Sequence, residues 1–294
     1  MRIGLFTLGL GSAADPDVIR AVAQTAERTG VATLWAAEHV VLFDRYDSAY
    51  PYSPNGAFPL GAQADWLDPF VTLTFAAAVT SRIRLATGIC LVPEHNPLIL
   101  AKAIASLDRL AKGRFALGVG IGWSAEEFAA LGVPFERRAQ RTREYIDVMR
   151  KLWSPGVASH RGEFVRFDDA GSFPKPNQGA KLPVIFGGES DAALRRVAEY
   201  GDGWYGFNLS PSTAREKLAR LDRLLADNGR SRANIEVIAA PYTQRIVADD
   251  LQRYQDLGVG EIVLLATVPA DPTAAIERIE RFAREWLEPA ARCR

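Results

Sequence analysis

Eight times along this chain a short, apolar, β-prone run is followed by a helical segment. The runs cover 2–8, 32–36, 83–89, 115–119, 183–187, 203–207, 235–239 and 261–266. The helical segments cover 16–29, 68–80, a stretch opened by Asn96-Pro97 and closed by Gly113, then 138–153, 191–200, 212–228, 250–257 and 273–287. Continuous apolar runs of four to eight residues suit strands that are buried on both faces, as in parallel sheets. Eight strand–helix units match a closed (β/α)₈ barrel, which takes roughly 250 residues. An open, doubly wound sheet is the alternative that the same alternation allows.

The stretch 83–123 carries the pattern most clearly: IRLATGICLVPEHNPLILAKAIASLDRLAKGRFALGVGIGW. Leu100, Ile104, Leu107 and Ala111 fall on one helical face between Asn-Pro start chemistry and a glycine stop. The second strand runs into Gly118, Gly120, Gly122 and Trp123. In α/β folds ligands bind at the C-terminal ends of strands, where a glycine lets a flat ligand approach the backbone. The expected architecture is one (β/α)₈ TIM-barrel domain over 1–294 with loop insertions at the C-terminal face. The insertions are 41–66, rich in tyrosine and proline, and 155–182, with a β-like run at 163–167. The first follows the second strand, which places it on the face where barrel enzymes build their sites, as a lid or substrate wall.

Lysine plus arginine number 35 and aspartate plus glutamate 35, so no net basic field favours nucleic acid. The densest basic group, Arg137, Arg138, Arg141 and Arg143, reads as the solvated face of a helix. No apolar stretch approaches a membrane span, and residues 3–10 read as the first barrel strand, not as a leader. The two cysteines, Cys90 and Cys293, are too few for a disulfide framework, and the expected location is the reducing cytoplasm.

Polar chemistry must come from sparse residues at strand ends. Glu38-His39 follows the second strand, and a histidine there is a candidate general acid or base; the alternative is a structural imidazole, with Glu38 partnering a barrel arginine. His95 and His160 lie elsewhere, and three dispersed histidines make no metal set. Gly187-Gly188-Glu189-Ser190 joins the fifth strand to its helix, a place where backbone N–H groups hold anions and where Ser190 can also act as a cap.

These motifs carry a resemblance. TGI before the NP-initiated helix, GRFALGVGIGW, and PKPNQGAKLPVIFGGES followed by GDGW are similar to the bacterial luciferase-like superfamily of flavin-dependent monooxygenases and deazaflavin (coenzyme F420)-dependent oxidoreductases. The similarity runs over about 3–286 and is closest to a probable F420-dependent subgroup. It implies that Glu38 and His39 face the cofactor ring. It implies that Thr87, Gly88 and Ile89 bind the cofactor, with Gly88-Ile89 as a third-strand bulge whose non-prolyl cis peptide lies against the ring. Gly120, Gly122 and Trp123 would line the pocket, and Gly187, Gly188, Glu189 and Ser190 would hold the cofactor phosphate. Some hydride-transferring relatives have an acidic residue where this chain has Trp123, so proton transfer here falls to His39, Glu38 or water. The implied activity is hydride transfer between reduced F420 and a small organic substrate, in a homodimer. The alternatives are an FMN-dependent monooxygenase and a non-catalytic barrel subunit that pairs with an active homologue.

Overall fold

Five helices begin in the same way: an Asp, Asn or Ser side chain accepts from a first-turn backbone N–H, and proline follows it directly. Asp15, Asp68, Asn96, Ser210 and Asp271 are these caps. Such a side chain satisfies one of the four unpaired amides, and proline has no amide to leave unpaired. In the computed structural model, which describes residues 1–293, these caps mark off the repeats. The elements are β1 (Arg2–Phe6), α1 (Pro16–Thr29), β2 (Thr33–Ala36), α2 (Pro69–Val79), β3 (Arg84–Thr87), β4 (Cys90–Leu91) and α3 (Pro97–Leu110). Next come β5 (Phe115–Gly120), α4 (Ala125–Ala130), α5 (Arg138–Trp153), β6 (Ala158–Arg161), β7 (Arg166–Ala170), β8 (Val184–Gly187) and α6 (Asp191–Tyr200). The chain ends with β9 (Gly203–Phe207), α7 (Pro211–Asp227), β10 (Glu236–Ala240), α8 (Ala248–Asp256), β11 (Glu261–Leu265) and α9 (Pro272–Arg292).

The strands lie in the order β3-β2-β1-β11-β10-β9-β8-β5, and pairing of β3 with β5 closes the ring. Every pair in the ring is parallel, and Leu85 opposite Phe115 sets the closing register. The fold is the closed eight-stranded (β/α)₈ barrel, not the open sheet. Phe6, Trp35, Ala86, Ala116, Ile185, Tyr205, Ile238 and Val263 fill its interior, and a larger apolar shell packs the strands against the helices. At the N-terminal end a polar plug replaces this packing. Trp35 Nε1 donates to Glu261 Oε1 at 3.0 Å, and Arg84 clamps Glu236 at 2.6 and 2.8 Å. Conserving rigidity at that end leaves the opposite mouth free for chemistry.

Four local expectations are corrected. The third strand stops at Thr87, because the chain bulges at Gly88-Ile89 before the two-residue β4 pairs with β5. The last helix runs on through Pro289 to Arg292, with Ala290 buried beneath it. The basic group is only partly solvated. Arg141 is buried and donates to the Pro134 and Glu136 carbonyls, while Arg138 lies 3.7 Å over the Phe135 ring and donates to Gly122 O. The β-like run at 163–167 is mostly a hairpin turn. β6 and β7 flank it, and the amides of Glu163, Phe164 and Val165 donate to Glu144 of α5. That insertion therefore packs along a helix, whereas 41–66 folds over the barrel mouth.

Candidate active site

A cavity of about 390 Å³ opens at the C-terminal ends of the strands, which is within the usual range for one organic ligand. Ile89 lines it. The Gly88–Ile89 peptide is cis, as the resemblance implies. The glycines around it serve a purpose that the sequence did not reveal. A Cβ on Gly120 would stand 2.5 Å from Ile89 Cδ1, and one on Gly187 2.8 Å from the same atom. Both glycines make room for the Ile89 side chain first, and only beyond it for a ligand. Thr87 was expected at the cofactor; instead it is fully buried in the sheet and absent from the cavity wall. Its hydroxyl donates to Gly118 O at 2.8 Å and accepts from Gly118 N at 2.9 Å, so it braces the bulge.

His39 lines the cavity, and its Nδ1 lies 2.7 Å from Glu127 Oε2. The other oxygen of Glu127 accepts from Val40 N at 2.6 Å and from Val41 N at 3.3 Å. Glu127 is 1% exposed and sits on α4, a short helix outside the eight strand–helix repeats that the sequence pattern announces. A signal was present: Ser124-x-x-Glu127 is a helix-start pattern, and Ser124 does cap α4 by accepting from Glu127 N at 3.1 Å. With Nδ1 committed, Nε2 is the ring nitrogen left to serve a ligand. Phe58, Trp66 and Trp123 pack edge-on around the imidazole at 5.0, 5.0 and 6.0 Å between centroids.

Glu38 turns away from that pair. It borders the cavity, but its carboxylate accepts from Leu91 N at 2.6 Å and lies 2.9 Å from His95 Nε2. Its partner is thus His95, which had looked incidental in the sequence, and not a barrel arginine. Hydrogen bonds from His95, Leu91 and Cys90 outweigh burial and hold Glu38 below the usual carboxylate range, and the Glu38 charge in turn raises His95. The pair locks the chain just past the bulge.

At the far end of the cavity, Gly188 has φ +105°, a conformation that suits glycine. Ser190 accepts from Ala193 N at 3.2 Å and caps α6, so its hydroxyl is already engaged. Glu189 departs from expectation most. Its carboxylate accepts from Phe207 N at 2.6 Å and from the Tyr52 hydroxyl, and burial pushes its pKa up to about 7. It ties the lid to the β8–β9 rim, and its charge opposes a phosphate. The cation at this end is Arg196 of α6, missed in the sequence because it is one of many arginines. It lines the cavity, its Nε is buried, and it has no hydrogen-bond or ion-pair partner among the described residues. Trp123 Nε1 is a second buried donor without a partner among the described residues. Tyr50, Tyr52 and Phe58 from the 41–66 insertion pack onto one another and onto Trp123 and Phe207 with centroids 4.6–5.5 Å apart. The structure thus brings together His39, Glu38, Gly88, Ile89, Gly120, Gly122, Trp123, Gly187, Gly188, Glu189 and Ser190 around one cavity, and adds Glu127 and Arg196.

Comparisons with known proteins agree with this fold. Residues 1–287 match the model of the luciferase-like monooxygenase family. An uncharacterized protein of Mycobacterium tuberculosis, Rv0953c, is 37% identical over 267 residues, covering 88% of this chain and 91% of its own. Among solved structures, the coenzyme F420-dependent tetrahydromethanopterin reductase of Methanopyrus kandleri superposes with a TM-score of 0.74 at 19% identity, covering 98% of each chain. Monooxygenase RslO1 of Streptomyces bottropensis superposes with a TM-score of 0.76 at 19% identity, covering 98% of this chain and 99% of its own. The chain belongs to the luciferase-like monooxygenase family. No helix among the described residues is long and apolar enough to cross a membrane.

Proposed function

We propose that this member of the luciferase-like monooxygenase family is an oxidoreductase that binds a reduced deazaflavin, coenzyme F420, and exchanges a hydride with a small, largely apolar organic substrate. The observation that carries the reading is the His39–Glu127 pair, 2.7 Å apart, at the wall of an aromatic cavity. When bound, the cofactor supplies the hydride. The protein must then move the accompanying proton. Glu127 orients the imidazole through Nδ1, and Nε2 accepts or donates that proton at the substrate.

The remaining residues fit a phosphate-bearing tricyclic ligand. The unpaired Arg196 and the glycine turn at the start of α6 suit an anion, and charge-assisted bonds there are the strong kind. Ile89 offers the ring an apolar surface. Trp123 Nε1 and Arg196 Nε are buried donors that a ligand would satisfy. Tyr50, Tyr52 and Phe58 exclude water and provide the substrate wall.

The family name and the likeness to RslO1 favour a second reading, in which the same cavity takes reduced FMN and an oxygen atom is inserted into the substrate. Titrating the purified protein with F420 and with FMN, each oxidised and reduced, separates the two. Tighter binding of F420 by tenfold or more is expected. Tighter binding of FMN would transfer the assignment to the monooxygenase reading. Failure to bind either would point to the non-catalytic subunit.

A further inference from the structure

The 41–66 insertion is gripped from outside the cavity by α4, a helix of six residues. α4 begins just past the C-terminal end of β5, after the cavity residues Gly122 and Trp123. Glu126 Oε1 accepts from two successive amides of the insertion, Asp47 N at 2.6 Å and Ser48 N at 2.8 Å. Its Oε2 accepts from the Ser124 hydroxyl at 3.0 Å, so the residue that caps α4 also fixes this carboxylate. A bond returns the other way. Ser48 Oγ accepts from Ala125 N at 3.0 Å, a first-turn amide that the helix itself leaves unpaired. The neighbouring Glu127 holds the root of the insertion through Val40 N and Val41 N, and orients His39. Consecutive carboxylates of one helical turn therefore hold the insertion at two points, and one of them also holds the imidazole.

What this grip holds down is aromatic. Tyr46 and Tyr50 lie on either side of Asp47-Ser48 in the sequence, with rings 5.0 and 5.2 Å from that of Trp123. Phe58 lies 5.4 Å from Trp123 and 5.0 Å from His39. Releasing 47–48 would lift these rings, admit water beside His39 and pull on Val40 and Val41, whose amides fix Glu127. We infer that Glu126 is a positioning residue, a clasp that keeps the 41–66 lid closed and in the same movement keeps Glu127 aimed at His39. The inference rests on the reading of His39 and Glu127 as the acid–base pair. Glu126 itself is absent from the cavity wall and makes no hydrogen bond to His39 among the described residues. It acts through the lid and its neighbour. Exclusion of water and alignment of the imidazole then occur together, as a site that moves a proton away from solvent requires.

Hydrogen exchange and ¹⁵N spectra of the His39 ring, both on the cofactor-free protein, test the clasp and its coupling. In Glu126→Ala the amides of 42–58 should exchange about tenfold faster or more, the value of one charge-assisted hydrogen bond, while the barrel strands keep their wild-type rates. The His39 ring signals should shift toward those of Glu127→Ala, in which the imidazole has lost its partner. Glu126→Gln keeps a carbonyl oxygen for both lid amides, so its lid exchange should stay within about threefold of wild type and its ring signals unshifted. Ser48→Ala removes only the returning bond and should speed lid exchange by a smaller factor, which keeps the clasp testable where Glu126→Ala does not fold. Unchanged lid exchange in the alanine variants overturns the clasp. Faster exchange with unshifted His39 signals overturns the coupling. Wild type that binds neither F420 nor FMN would instead overturn the functional reading, since neither measurement needs a cofactor.

Discussion

Replacing Glu127 by Gln probes the site at its most constrained atom. Val40 N and Val41 N both donate to Oε1, so the amide oxygen of a glutamine must occupy that position. Its NH₂ then faces His39 Nδ1, the atom now 2.7 Å from Oε2. A donor there forces Nδ1 to accept, and the ring proton moves to Nε2. The imidazole can no longer act as a base, nor can it become an imidazolium, since both of its nitrogens would then need acceptors. The cost to the fold follows from three bonds losing their charge assistance, from about 1.5–3 to about 0.5–1.5 kcal/mol each. At roughly 1 kcal/mol per bond this comes to about 3 kcal/mol, a fall of about 5–10 °C in Tm. The cost to catalysis is larger. The equivalent Asp-to-Asn change beside a triad histidine lowers kcat by about 10⁴-fold, or about 5 kcal/mol of barrier. ¹⁵N spectra of the His39 ring, assigned with His39→Ala, read the tautomer, and turnover at saturating substrate reads the rate. The reasoning fails if the glutamine variant shows the shifted tautomer yet turns over within threefold of wild type.

Three further outcomes are expected. Arg196→Ala should weaken cofactor binding by about 10–100-fold, the value of one or two charge-assisted hydrogen bonds, while leaving Tm unchanged or higher, because no group among the described residues forms a hydrogen bond or ion pair with the guanidinium; calorimetry of binding and of unfolding gives both. His39→Ala should keep the fold and cofactor affinity within about threefold and lose about 10²-fold or more in turnover, read by steady-state kinetics. Glu189, raised to about 7 in the folded state from an ordinary value of 4.5, holds a proton that the unfolded chain releases. Its contribution to stability is fully present below pH 4.5 and is lost as pH rises through about 7. Melting curves of wild type should therefore decline between those values more steeply than those of Glu189→Gln.

What the sequence made legible follows from how each feature is encoded. The barrel was readable because burial on both faces writes a strand as an unbroken apolar run, and because helix starts such as Asn96-Pro97 are marked locally. The bulge at Gly88-Ile89 was legible only through resemblance, since nothing in the local pattern distinguishes it from a strand end. The reason for its glycines was not legible at all. Gly120 and Gly187 lie 31 and 98 residues beyond Ile89 in the sequence, and the side chain that they accommodate meets them only when the barrel closes.

The same limit explains the polar residues. Glu127 stands 88 residues from His39, and its local pattern announces a helix cap, not a partner for an imidazole. Glu38-His39 reads as one catalytic pair because the two are adjacent. Yet neighbours at the end of an extended strand point to opposite sides, and the two side chains enter different hydrogen-bond networks, one with His95 and one with Glu127. Those networks bring two acids and two imidazoles together at one end of the cavity. The chemistry of this site is therefore a property of pairings across three separate segments, 38–39, 95 and 127, and no single segment displays it. Each pairing forms only when the barrel brings those segments side by side, so a carboxylate that orients a histidine is written in the fold and not in the spacing of either residue.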